Sequence, residues 1–134
     1  MRRLILIAVL ALGLAACGGG SGPSKDTLQI KFGRTGGMIM PYTITIAPDG
    51  TVTAEGNPPN TPPKSITSEQ DEDLSRQVRA EIGKLTTLQC AHTFPDEATN
   101  FITALGKTVA VRGTCETGFN KLFNALNNAL HLNE

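Results

Sequence analysis

Apolar and polar residues alternate along the first half of the chain, and this period of two predicts β-strands. The alternation runs from Thr27 to Phe32 and again from Tyr42 to Ile46, as in strands with one buried side and one solvent-facing side. The residues between Gly33 and Gly37 predict a turn or bulge that interrupts these two strands. Pro48-Asp49-Gly50 predicts a hairpin turn, and Thr51 to Glu55 is its return strand.

Two connecting stretches allow two interpretations each. Met38-Ile39-Met40 is expected to be an extended apolar stretch that packs at the sheet edge or in the core, and the alternative is a surface that contacts a ligand. The stretch from Gly56 to Lys64 carries four prolines and predicts a connector between sheet and helix. A recognition loop is the alternative, because functional contacts are often made by loops.

A period of 3.6 residues follows and predicts a helix. Thr67 and Gln70 have the spacing of a capping box, and apolar residues then recur at helical spacing. They are Leu74, Val78, Ile82 and Leu85. Four carboxylates near the start are interpreted as a solvated helix beginning that suits the helix dipole, rather than as a metal site or an acid/base pair. They are Glu69, Asp71, Glu72 and Asp73.

The last third predicts a second hairpin and a second helix. The hairpin strands run from Thr99 to Leu105 and from Lys107 to Arg112, around Gly106-Lys107. Thr114 is the predicted cap of the final helix, whose apolar stripe is assigned to the core. The stripe consists of Phe119, Leu122, Phe123, Leu126 and Leu130, and the opposite, polar face carries Asn120, Lys121, Asn124, Asn127 and Asn128.

These elements predict an α+β fold in the order β-β-β-α-β-β-α. A mainly antiparallel sheet of about five strands is expected, with two helices packed on one face, because each helix has a single apolar stripe to bury. The domain assigned to this fold is 27–134.

The N-terminal segment predicts export. Met1-Arg2-Arg3 is positively charged and Leu4 to Leu14 is apolar, too short for a membrane span of about 20 residues but typical of a signal peptide. Leu14-Ala15-Ala16-Cys17 resembles a bacterial lipobox, which implies that residues 1–16 are a lipoprotein signal peptide and that Cys17 carries lipid. An ordinary signal peptide that contains a cysteine is the alternative.

Lipidation at Cys17 gives the next residues a role. Residues 17–26 are expected to be a lipidated flexible tether, because they are rich in Gly, Ser and Pro. The predicted location is the bacterial cell envelope, with the domain outside the cytoplasm and anchored by lipid. Gly18 after Cys17 is compatible with the outer membrane in a Gram-negative cell.

With Cys17 lipidated, two cysteines remain in an exported chain. An even count in this context predicts a disulfide between Cys90 and Cys115, and two buried free thiols are the alternative. A metal site is not expected, because neither cysteine lies in a C-x-x-C pair and only His92 and His131 could join them. No cofactor is predicted.

Charge and candidate chemistry argue against several functions. Removal of the signal leaves 10 Lys and Arg against 12 Asp and Glu, a net charge of −2, and without a basic patch no nucleic-acid partner is expected. His92 lies close to Cys90 in the sequence, but no orienting group or oxyanion hole accompanies the pair. We therefore do not expect an enzyme.

The order of elements is similar to that of small bacterial envelope lipoproteins and of the emfourin family, protein inhibitors of thermolysin-like metallopeptidases. The resemblance runs from Thr27 to Leu132 and includes Gly36-Gly37, Asp49-Gly50 and Pro95-Asp96. It implies a protein-binding domain that inhibits a peptidase. The lipobox and the cysteine pair depart from that family, and no inhibitory residue can be carried over.

The expected function is therefore that of a membrane-anchored, non-catalytic protein-binding module of the envelope, with peptidase inhibition as one form of it. Its membrane contact is the lipid on Cys17, and its partner is an unidentified envelope protein. The alternatives are a structural or assembly lipoprotein and a carrier of a small apolar ligand, held in a gap between sheet and helices lined by Met and Phe.

Overall fold

The computed structural model describes residues 26–133. The predicted signal peptide 1–16, the lipidation site Cys17 and all of the predicted tether except Asp26 lie outside the described residues.

Six strands and two helices make up the fold. The strands are β1 (Ile30–Thr35), β2 (Tyr42–Ile46), β3 (Val52–Gly56), β4 (Leu88–Gln89), β5 (Thr99–Ala104) and β6 (Lys107–Arg112), and the helices are α1 (Ser68–Glu81) and α2 (Thr117–Ala129). A short 3₁₀ turn at Ile82–Lys84 follows α1.

The strands form one mixed sheet in the order β3-β2-β1-β5-β6-β4. Five of them are antiparallel to their neighbours, and β4 pairs parallel to β6. The fold is therefore α+β, as predicted, but the count of about five strands misses β4. This two-residue strand has no alternation to detect, and it lies beside β6 in the stretch that precedes the disulfide.

The core joins one face of the sheet to both helices. Ile30 and Phe32 of β1 are fully buried among residues of α1 and α2 such as Val78 and Phe119. The ring of Phe32 meets that of Phe123 edge-to-face, with centroids 5.9 Å apart, a favourable arrangement for aromatic pairs. The predicted apolar stripes of both helices are confirmed as core.

Strand β1 differs from its prediction. The alternation ended at Phe32, but the strand continues through Gly33 to Thr35. Gly33 keeps extended backbone and pairs with Thr43 and Phe101. A Cβ atom here would collide with the backbone of Tyr42, so this glycine permits a close strand pairing instead of ending the strand.

The two helices are capped at their N-termini in different ways. Thr67 and Gln70 form the predicted capping box, with the Gln70 N–H donating to Thr67 Oγ1 at 3.2 Å and the Thr67 N–H to Gln70 Oε1 at 3.0 Å. Helix α2 is capped by Glu116, whose Oε1 accepts from the Gly118 N–H at 3.2 Å. The predicted cap, Thr114, is wrong because the chain still bends there, before Cys115.

The disulfide between Cys90 and Cys115 is present, with the two Cα atoms 5.7 Å apart. It joins the end of β4 to the beginning of α2, and the Cys90 N–H donates to the Arg112 carbonyl at 2.8 Å. Closing a loop of 25 residues stabilises a fold by roughly 3–4 kcal/mol.

The turn of the second hairpin is also shifted. Strand β5 ends at Ala104, and Leu105 and Gly106 form the turn with φ of 52° and 72°. Two successive positive φ angles match the type I′ turn, whose twist suits a hairpin. The prediction had placed the turn at Gly106-Lys107, because leucine is not a residue that this turn favours.

The beginning and the end of β1 mark two opposite ends of the domain, which we call the proximal and the distal end. The proximal end holds the beginning of the described chain, where Thr27 Oγ1 donates to the Pro48 carbonyl at 2.7 Å, and the turn at Leu105-Gly106. The distal end holds the residues that follow β1 and those that precede β5. The six residues of β1 separate the two ends by about 20 Å.

Candidate functional site

Exposed apolar side chains collect on two neighbouring loops at the distal end. Met38, Ile39, Met40 and Phe94 are 53–83% exposed, and we call these four residues the apolar tip. Scattered apolar residues are normal on a surface, whereas a contiguous group points to a contact site.

The apolar tip stands on loops that are held to one another. The Met38 N–H donates to the Asp96 carbonyl at 3.1 Å. Gly37 has φ +76°, and a Cβ atom there would come within 2.5 Å of the Asp96 carbonyl oxygen. Arg112 Nη2 donates to the Phe94 and Pro95 carbonyls at 2.8 and 2.6 Å. The loop positions are thus set by contacts to backbone groups, and the four apolar side chains stay largely exposed.

The prediction for Met38 and Met40 is therefore wrong. They lie neither in the core nor in an extended edge. The chain bends from Gly36 to Ile39 because Gly36 and Gly37 both have positive φ. The alternative interpretation of these residues, a surface that contacts a ligand, agrees with their exposure.

A polar cleft lies at the same end, where the core-facing residues of the sheet change from apolar to polar. Along β1 the core-facing residues are Ile30, Phe32 and then Arg34. Arg34 pairs with Tyr42 on one side and Asn100 on the other. Its Nε donates to Asn100 Oδ1 at 3.1 Å, and its guanidinium carbon lies 6.0 Å from the centroid of the Tyr42 ring.

Helix α2 forms the opposite wall of this polar cleft. Four of its residues line the cleft, and they are Asn120, Phe123, Asn124 and Asn127. Pro59, Thr114, Leu132 and Asn133 complete the lining, and the cleft has a volume of about 360 Å³, within the range of small-molecule sites. None of the described residues in this lining carries a carboxylate.

Asn127 is the unexpected member of the cleft. The sequence placed it on the solvent face of α2, but it is only 8% exposed, and its Oδ1 has no hydrogen-bond partner among the described residues. It follows Phe123 by four positions, so helical spacing could have placed it at the margin of the apolar stripe. An unpaired buried amide oxygen is destabilising by roughly 1–3 kcal/mol, so its presence needs a reason.

The turn after α2 brings the last described residues, Leu132 and Asn133, into the lining of the cleft. The Leu132 N–H donates to the Asn127 carbonyl at 2.9 Å and the His131 N–H to the Asn128 carbonyl at 3.2 Å. His131 has φ of 56°, and together these features form a Schellman motif. The motif returns the chain across the helix end, buries Leu132 and brings Asn133 to the cleft.

A buried carboxyl lies outside the distal end. Asp71 is only 2% exposed, and Oδ1 has no partner among residues 26–133. Burial raises the pKa of Asp71 to about 6, with the nearby charges of Asp49 and Glu72 adding to the effect. Hydrogen bonds from Thr51 lower the pKa of Asp49. The prediction of a fully solvated acidic helix start is thus wrong for Asp71, because its side chain turns inward.

Two further candidate groups are the cysteine pair and His92. The Cys90 sulfur is bonded to Cys115, and His92 is exposed in a turn with φ of 64°. Within the described part of the chain, no group of three His, Cys, Asp or Glu side chains is placed to hold a metal ion. Neither helix of that part is long and apolar enough to cross a membrane.

Comparison of the chain with protein-family models, curated proteins and solved structures found no match. The apolar tip and the polar cleft are therefore interpreted from their own chemistry.

Asp71 generates a prediction about pH. A carboxyl whose pKa rises on folding contributes stability that is present below its ordinary pKa of 3.8 and is lost as the pH rises through about 6. Asp71→Asn removes the charge, so we expect the free energy of unfolding at pH 7.5 to increase, by on the order of 1 kcal/mol. Urea unfolding at pH 4.0 and pH 7.5 measures the difference.

The matched control is Glu55→Gln, which changes an exposed carboxylate. It should alter the unfolding free energy little at either pH. If Asp71→Asn lowers stability at pH 7.5, or acts equally at both pH values, the proposed effect of the buried charge is wrong.

Proposed function

We propose that this protein is a lipid-anchored lipoprotein of the bacterial cell envelope that acts as a non-catalytic protein-binding module. Cys17 carries the lipid, residues 17–26 form the lipidated tether and the folded domain displays a binding end. Inhibition of a peptidase is one form of this activity, in keeping with the emfourin-like order of elements. An envelope protein is the partner, and no nucleic acid takes part.

The observation that carries the proposal is the place of the apolar tip. The described chain begins at the proximal end, and the tip lies at the distal end, about 20 Å away along β1. A tether joined to the proximal end would hold that end toward the membrane. The apolar tip would then face away from the membrane, toward other envelope proteins.

The composition of the apolar tip suits a protein contact. Methionine and phenylalanine are enriched in the centres of protein interfaces, and methionine adapts its shape to a partner. The loops that carry these side chains are held by hydrogen bonds to backbone groups, so little ordering of the loops would be needed on binding. A structural or assembly role would use the same anchor and the same surface.

Mass spectrometry tests the anchor. The intact protein extracted from its native membrane should begin at Cys17 and carry the added mass of a diacylglycerol, with or without a further acyl chain. It should also weigh two hydrogens less than the reduced form, owing to the Cys90–Cys115 bond. A mature chain that begins elsewhere, or that carries no lipid, would contradict the proposal.

Crosslinking in living cells tests the binding end. A photoreactive residue at Ile39 should give a discrete product with one envelope protein, and Met38→Ser with Phe94→Ser should abolish it. Leu105 is the matched control, since it is 55% exposed against 53% for Ile39 but lies at the proximal end. It should give no protein product.

Equal products from Ile39 and Leu105, or none from Ile39, would contradict the proposed function. A product that survives the double serine change would also count against a contact made by the apolar tip.

A further inference from the structure

We propose that the polar cleft binds a carboxylate, and that the carboxylate is the free C-terminal end of a peptide. This site goes beyond the contact proposed for the apolar tip. No residue of the tip belongs to the lining of the cleft, so either site can exist without the other.

Arg34 is the first reason. It lies on the central strand β1, in a row whose other members belong to the core, and it is half-buried. One of its donors is used by Asn100. The two Nη groups form no hydrogen bond with a described residue, and no described carboxylate lies within 4.0 Å of them. An arginine with free Nη groups presents a planar fork of donors that matches a carboxylate.

The charge of the cleft fits an ion of one negative charge. Among residues 26–133, Arg34 is the single cation of the lining, and no Asp, Glu, Lys or His belongs to it. A carboxylate would be neutralised by this one guanidinium. A phosphate at neutral pH carries up to two charges, one of which would stay unpaired in a half-enclosed site.

Asn127 is the second, independent reason. Its side chain is more than nine-tenths buried in the wall of the cleft and makes no hydrogen bond within residues 26–133. Asn124 lies one turn earlier on the same wall. Side-chain amides of this kind carry one acceptor and two donors, which complement the N–H and C=O groups of a peptide that enters the cleft.

The aromatic residues favour a peptide over a sugar acid. Tyr42 and Phe123 line the cleft but are almost fully buried, so they offer no open ring face on which a sugar could stack. The exposed Pro59 adds apolar surface to the lining, suited to the side chain of a C-terminal residue. The cleft therefore offers a cation for the carboxylate, amides for the backbone and an apolar contact.

Nuclear magnetic resonance titration of the full chain in detergent micelles tests this site. The probes are N-acetyl-alanyl-alanine with a free carboxylate, the same peptide with a C-terminal amide, and glucuronate. The side-chain NH₂ signals of Asn124 and Asn127 and the backbone N–H of Arg34 are the reporters. We expect the free peptide to shift these signals with a Kd on the order of 1 mM, and the amidated peptide to bind at least about tenfold more weakly.

Variants separate the role of the cation from a general effect on folding. Arg34→Gln should weaken binding of the free peptide at least about tenfold, and Arg34→Lys should weaken it less, because it keeps the charge but loses the fork. Arg76→Gln is the matched control, because this arginine is exposed on α1 and pairs with Asp73. It should leave the Kd unchanged.

The dispersion of the backbone signals shows whether each variant is folded. If Arg34→Gln unfolds, two measurements still test the proposal. They are the comparison of the free with the amidated peptide and the binding of the free peptide to Arg34→Lys. Equal binding of the two peptides, or shifts that do not involve Asn127 and Arg34, would overturn the proposal. Shifts with glucuronate but not with the peptide would retain a carboxylate site and overturn its assignment to a peptide.

Discussion

The pairing of β1 with both of its neighbours is the interaction on which the rest of the structure depends. β1 lies between β2 and β5, so it joins the N-terminal hairpin to the C-terminal one. Without it each hairpin would expose its apolar face, and an isolated two-stranded hairpin is marginally stable at best in water. The close fit of Gly33 against the backbone of β2 allows this central strand to run its full length.

The same strand connects the two ends of the molecule. It begins beside the first described residues, passes through the core and carries Arg34, its next-to-last residue, in the polar cleft, just before the loop that carries Met38. The core therefore fixes the position of the cleft relative to the first described residues. If Cys17 holds the protein at a membrane, this arrangement separates anchoring from recognition by the length of one strand.

Most of the strands, both helices and the disulfide followed from local signals. Period-two alternation predicted β2, and the Pro48-Asp49-Gly50 turn predicted β3 as its return strand. The spacing of Thr67 and Gln70 predicted the beginning of α1, and an even cysteine count predicted the Cys90–Cys115 bond. These signals suffice to predict the elements because the strand, turn and cap signals depend only on neighbouring residues. The cysteine signal depends only on the expected export of the chain.

The candidate sites could not be predicted in this way. Arg34 follows a glycine that resembled a break, and only the pairing of β1 with β5 brings it beside Asn100. Asn127 and Asp71 have polar side chains on amphipathic helices, and their burial depends on the elements that cover them. The apolar tip was misassigned because an apolar run resembles a strand until Gly36 and Gly37 are seen to bend it.

Fluorescence quenching by the membrane tests the central claim most directly, namely that the anchor and the binding end lie at opposite ends of the domain. The protein, taken from its native membrane and placed in vesicles that contain a quencher on the lipid headgroups, would carry a fluorescent residue at Leu105 or at Ile39. We expect strong quenching at Leu105 and weak quenching at Ile39. Equal quenching at both, stronger quenching at Ile39, or a protein that does not stay on the vesicles would contradict it.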